Sequence, residues 1–294
     1  MTTTQPRSYS TLTSSLRQDI LPMRLYHKAK KLGVWDPRSI DLTQDALDWQ
    51  KLPENKKDRL KRLIIGFQAG EESVTLDLLP LIMTIAKEGR LEEEMFLTTF
   101  LWEEAKHTEF FRRFLDEAMQ EHGDLHSYRG VNPNGRDLFG EVLPQTMNAL
   151  LTDPSPVAQV KASILYNMII EGVLAETGYH SFAQMLDETN MLPGLRQGLA
   201  YIKRDESRHI AYGVFLISRL VAEDKSLWPV VESRMHELFD RLEANARENS
   251  DNNFDYARMQ FQKRLASIER ARRQTLEQVY KTSAAEDTEE VQAD

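Results

Sequence analysis

The chain has 294 residues and a mass of 34.0 kDa, enough for one large core or two modest ones. Apolar residues make up 41% and charged residues 28%, the balance of an ordinary globular protein. Lys and Arg number 37 against 46 Asp and Glu, and the net charge of -9 disfavours nucleic acid as a general partner. The absence of cysteine excludes disulfide scaffolds, thiolate metal sites and cysteine nucleophiles, and is compatible with a reducing cytoplasm.

In chain order, MTTTQPRSYSTLTSSLRQD (1–19) holds no apolar segment fit for a secretory signal, and residues 1–12 read as a disordered N-terminus. Short helices are predicted near 12–31 and 43–50, and long ones at about 55–88, 91–121, 155–188, 193–221, 226–249 and 252–281. The basic run KKDRLKR (56–62) reads as a solvated helix start. HSYRGVNPNGRD (126–137) has the Asn, Pro and Gly chemistry of a connection, while LTDPSP (151–156) and NMLPG (190–194) stop one helix and start the next. The tail TSAAEDTEEVQAD (282–294) is small, acidic and non-aromatic, and reads as disordered. No alternating strand pair or internal repeat is evident, so 13–281 is expected to form a single all-α domain. Mean hydropathy is -0.51, and no apolar run reaches the roughly 18 residues that a transmembrane segment needs.

At 100° per residue, side chains can be assigned to helix faces. Leu60, Ile64, Phe67, Val74, Leu78 and Ile82 share one stripe with Glu71 at its centre, while Glu72 points aside. In the third long helix Glu171 lies among Val160, Ile164, Asn167, Leu174, Ala175 and Gly178, with Glu176 opposite and expected in solvent or an interface. In the fourth, Glu206 and His209 fall on the stripe of Leu195, Leu199, Ile202, Gly213, Ile217 and Leu220, with Asp205 on the flank. The second helix is less decisive. His107 sits on the stripe of Phe96, Phe100, Phe111 and Phe114, but Glu103 and Glu104 lie on either side of it, and periodicity leaves that choice open.

One glutamate on an apolar stripe is ordinary, its stem snorkelling to the edge. Four helices that each turn such groups inward are not. A buried cluster of carboxylates and imidazoles needs metal ions to neutralise it. One Glu from each of two helices plus Glu-x-x-His from each of two others is the di-iron or di-manganese arrangement of ferritin-like bundles. Oxygen ligands with two imidazoles favour iron or manganese, and open positions at such a site suit O₂ reduction.

The blocks GEESVTLDLLP (70–80), WEEAKHTEFF (102–111), YNMIIEGVLAETGYHSF (166–182) and RDESRHIAYG (204–213) resemble the ribonucleotide-reductase small-subunit superfamily, more closely its ligand-binding oxidase branch. The resemblance spans roughly 60–220. It implies a ferritin-like four-helix metal-binding bundle with additional helices. It also implies the metal ligands Glu71, Glu104, His107, Glu171, Glu206 and His209, and so selects Glu104 over Glu103. That branch implies a Mn/Fe centre, with Fe/Fe as a variant. Manganese is expected with Glu71, Glu104 and His107, iron with Glu171, Glu206 and His209, and Glu104 as the bridge. It further implies a long-chain fatty acid ligand, a homodimer, and an ether cross-link between Tyr166 and Val74 formed during O₂ activation. Val74 follows Glu71 by three residues and shares its face. Tyr166, five residues before Glu171, stands about 140° away on an ideal helix, an angle that a π-bulge would narrow. A radical-generating ribonucleotide reductase small subunit is the alternative. It needs a docking tail, usually with a tyrosine, whereas the last thirteen residues hold no aromatic and Tyr280 lies just before them. An iron-storage bundle is a further reading, set against the added helices at 226–281.

Overall fold

The computed structural model describes residues 9–128, 137–187, 190–248 and 254–281, and every regular element among them is helical. The expected disordered segments lie largely outside these residues, as does most of the 126–137 connection. Of the N-terminal segment, Ser10–Leu12 form one exposed helical turn.

Helix α1 (Leu21–Leu32) begins later than the sequence pattern implies, because Pro22 sits at its first turn, where a missing N–H costs nothing. Helix α2 (Thr43–Lys51) follows. The rod expected at 55–88 is two helices, α3 (Glu54–Asp77) and α4 (Leu79–Lys87), divided at Leu78 because Pro80 cannot continue the hydrogen-bond ladder. Helix α5 (Leu91–Arg113) opens with Glu92, Glu93 and Glu94 and closes with Arg112 and Arg113, charges that suit the two ends of its dipole. After the short α6 (Leu143–Asn148), one continuous helical stretch comprises α7 (Pro156–Ser163), a π-helical segment (Ile164–Ala175) and α8 (Glu176–Asp187).

Helix α9 (Pro193–Glu223) is the central rod, buried almost without interruption from Asp205 to Val221. Its start is fixed from α2: Asp45 accepts the Gly194 and Leu195 amides at 2.8 Å each, and Asp48 accepts that of Leu192 at 3.0 Å. Helices α10 (Trp228–Glu248), α11 (Phe254–Glu269) and α12 (Leu276–Lys281) complete the chain, and α10 and α11 pack against the π-helical segment. The single helix expected at 252–281 is interrupted by a 3₁₀ turn at Arg270–Arg273.

Among the described residues, Pro156–Asp187 is the one helix long and apolar enough to cross a membrane, with mean hydropathy 1.2 over its best window. That window is 78% buried inside the fold, so its apolar character is that of a core helix. The core divides into two apolar clusters, one around Phe96, Phe100, Tyr166 and Phe215, the other around Phe110, Phe111, Phe114 and Phe182. On α5, residues 103–107 lie between Phe100 of the first cluster and Phe110 of the second. The polar centre therefore sits at the seam of the core.

Candidate metal centre

The six expected ligands are all buried, none exposing more than 5% of its surface. They form two overlapping groups, Glu71, Glu104, His107 and Glu206, and Glu104, Glu171, Glu206 and His209. Within each group the potential ligand atoms all lie within 4.8 Å of one another. Helices α3, α5, α9 and the π-helical segment each contribute. The Glu-x-x-His spacing on α5 and α9 offers a carboxylate and an imidazole from one helical turn. Glu104 belongs to both groups, as the resemblance implies, but so does Glu206.

Both imidazoles are oriented the same way. His107 Nδ1 faces Glu71 and Glu104 at 3.5 Å and Glu206 at 3.4 Å. His209 Nδ1 faces Glu104 at 3.0 Å and Glu206 at 3.5 Å. Each Nε2 turns outward to a carboxylate carried by the opposite helix. His209 Nε2 lies 2.9 Å from Glu103 on α5, and His107 Nε2 lies 3.4 Å from Asp205 on α9. Arg208 donates to both of these carboxylates. Gly33 makes room for the arrangement: a Cβ there would lie 2.1 Å from Glu103 Oε1.

The donor set fits metal ions. Both oxygens of Glu104, Glu171 Oε1, Glu206 Oε2 and the Nδ1 atoms of His107 and His209 are buried and make no hydrogen bond. Native interiors rarely leave such atoms unpaired, and cations would satisfy all six at once. Charge leads to the same conclusion. Burial pushes the Glu71 carboxyl up to about 8, against the pull of His107. Glu171 is raised well above the carboxylate range by burial and by Glu206. Burial also raises Glu104, but the positive charges of His209 and His107 beside it outweigh burial and hold the group at about 2. Without metal, protons must neutralise the cluster.

Periodicity could not separate Glu103 from Glu104 for a physical reason: both are fully buried and both serve the site. Asp205, read as a flank residue, is also fully buried, its carboxylate covered by Trp35, Lys106 and Arg208. The doubled acids in EE-x-x-H and DE-x-x-H were the signal for these two bracing groups. Glu176, expected in solvent or an interface, is half-buried, and burial raises its carboxyl against the opposing charges of Arg264 and Lys203.

The π-helical segment meets the difficulty with Tyr166. Its ladder runs from i to i+5, so Tyr166 and Glu171 come to one face where α geometry would separate them. The Tyr166 hydroxyl donates to the Val74 carbonyl at 2.9 Å. Ser163 bonds Asn167 at 2.9 Å and Asn167 bonds Glu171 at 3.0 Å, so a polar row holds the carboxylate. Gly213 on α9 permits this approach, since a Cβ there would lie 2.2 Å from Asn167 Cβ. Phe100 stacks on His209 with centroids 3.6 Å apart.

A cavity of about 300 Å³ opens onto the cluster. Glu71, Glu171 and Glu206 lie at its inner end, Phe67, Gly70, Val74 and Leu174 along its walls, and the exposed Arg62 at its rim.

The family model of the ribonucleotide reductase small chain matches residues 22–265. An R2-like ligand-binding oxidase from Sulfolobus acidocaldarius is 37% identical, with 93% of this chain and 98% of that one covered and a TM-score of 0.85. A variant R2-like ligand-binding oxidase with an anaerobically reconstituted Mn/Fe cofactor is also 37% identical, covering 89% and 98% of the two chains with a TM-score of 0.83. Another variant, holding a non-activated Mn/Mn cofactor after aerobic reconstitution with Mn and Fe, is 37% identical over 90% and 99% of the two chains, again with a TM-score of 0.83. The chain thus belongs to the ribonucleotide reductase small-chain family and, within it, to the R2-like ligand-binding oxidases, ferritin-like dinuclear-metal oxidoreductases.

Proposed function

We propose that the protein is an O₂-activating oxidase that holds manganese with Glu71, Glu104 and His107 and iron with Glu171, Glu206 and His209, Glu104 being shared; an Fe/Fe pair is the variant. The convergence of six buried ligand residues, most with facing atoms that lack hydrogen-bond partners, carries this reading. When bound, the metals supply electrons for the reduction of O₂. Glu103 and Asp205 fix the two imidazoles with Nδ1 inward, and the aromatic clusters on either side keep bulk water out.

Tyr166 and Val74 are read as the pair joined by an ether bond. The Tyr166 hydroxyl already lies against the Val74 backbone in a dry interior. Bond formation removes the phenolic hydrogen of Tyr166 and one C–H hydrogen of Val74, two protons and two electrons in total, with O₂ as the final acceptor. A long-chain fatty acid is read into the apolar cavity, its head toward Glu71, Glu171 and Glu206. That orientation demands cations at the inner end, since four carboxylates alone would repel an acid. The same reading makes the protein a cytoplasmic homodimer, with exposed Leu76, Leu79 and Met83 on α3 and α4 as an apolar contact between copies.

Aerobic reconstitution with Mn(II) and Fe(II) is expected to lighten the intact protein by about 2 Da, the two hydrogens lost in the ether. Recovery of separate Tyr166 and Val74 peptides at unchanged mass would remove the cross-link from the reading. Anomalous diffraction at the iron and manganese edges tests the ligand sets, and Glu71→Ala is expected to lower metal content. Full two-metal loading of that variant would refute the role of Glu71.

A further inference from the structure

A row of aromatic and charged side chains runs from the centre to the surface beside His107. Asp205 Oδ2 faces His107 and accepts from Trp35 Nε1 at 2.7 Å and Lys106 Nζ at 3.1 Å. Lys106 also donates to the Gly33 carbonyl. Its Nζ lies 4.5 Å from the centroid of Trp35 and 4.4 Å from that of Trp102. Lys106 is 5% exposed and Trp35 8%, whereas Trp102 is 45% exposed. A dry ammonium is therefore held between an inner indole stacked near His107 and an outer indole that meets solvent.

Indoles are among the side chains most easily oxidised by one electron. The product carries positive charge, and a fixed cation at 4–5 Å with little water between opposes its formation. We propose that Lys106 stops oxidising equivalents from leaving the metal centre through Trp35 and Trp102. The inference rests on the oxidase reading above. In the leak that Lys106 blocks, Trp102 gives up one electron, which passes by way of Trp35 to the centre oxidised by O₂. Its indole proton leaves to solvent, and a neutral indolyl radical remains on Trp102. Keeping this route closed confines oxidation to the interior, where the Tyr166 hydroxyl and Val74 lie.

The test compares the wild type with Lys106→Met, Lys106→Gln and Lys106→Arg. Each full-length protein is loaded with Mn(II) and Fe(II), its metal content measured, and O₂ admitted with a nitroso spin trap present. Peptide mass mapping then quantifies adducts on Trp35 and Trp102. Adduct yield per metal pair is expected to rise about tenfold or more in the Met and Gln variants, and to stay near wild type in Lys106→Arg, which restores the charge. Equal yields across the series overturn the proposal, as does an Arg variant that leaks like Met. A second arm does not depend on the metals. Metal-free protein is oxidised with photo-generated tris(bipyridyl)ruthenium(III), and the rate of Trp102 loss is taken relative to Trp49 in the same chain. That ratio is expected to rise in the Met variant and recover in Arg, and an unchanged ratio overturns the proposal. If the loaded wild type consumes no O₂, the oxidase reading fails on its own and the second arm decides the effect of Lys106.

Discussion

Asp77 ends α3, where the helix's own carbonyl ends already gather negative charge, and it is buried there. Burial raises its carboxyl from 3.8 to about 6. The folded state therefore holds this proton more tightly than the unfolded chain, so the contribution to stability is present below pH 4 and lost as pH rises through about 6. Asp77→Asn is expected to stabilise the fold above pH 6 by about 1 kcal/mol after allowance for solvent screening, with the gain fading below pH 4 in urea melts. The bracing acids give a second outcome at this scale. Glu103→Gln and Asp205→Asn should each weaken metal binding about 10–100-fold in chelator competition, because the opposed imidazole loses its anionic brace. Single residues were legible in the sequence where the neighbouring acid is wet. Glu71 could be told from Glu72 because Glu72 is exposed, whereas Glu103 and Glu104, and likewise Asp205 and Glu206, are buried side by side, so neither member of the pair marks the solvent face.

The π-helical segment is the element whose form decides what Tyr166 can reach. Its sequence, ILYNMIIEGVLA, is apolar nearly all round and buried along almost its whole length, so the pattern announced a helix but could not say which kind. Only the misfit of Tyr166 with Glu171 under α geometry hinted at the wider turn. The break at Leu78 was visible in principle, since Pro80 marks it, but the apolar stripe running on to Ile82 conceals it. Contact between α9 and the π-helical segment depends on Gly213. Gly213→Ala is expected to cost about 1–3 kcal/mol in urea denaturation by displacing Asn167. The same variant should give less cross-linked product, because Asn167 holds Glu171.

Across the whole molecule, the metal-free fold carries a buried acidic cluster that protons keep tolerable. Glu71, raised to about 8, makes that state less stable as pH rises through 8, and metal binding removes the penalty. The melting temperature of metal-free protein should therefore fall as pH rises from about 4.5 to about 8 and level off above it. The loaded protein should melt roughly 8 °C higher at saturating metal and lose that gain on chelation. Below pH 8 metal uptake should release a proton from Glu71, measurable by dye titration. The fold class was legible from the length and periodicity of the helices; the seam between two cores was not, because it depends on which stripes meet in space. The crossed bracing, Glu103 of α5 to His209 of α9 and Asp205 of α9 to His107 of α5, carries a lesson for recombining relatives. A chimera that imports α5 alone brings a histidine without its carboxylate partner and a carboxylate suited to a histidine left behind. The two helices form one heritable unit, and crossovers between them should be tolerated only where both parents share the paired acids.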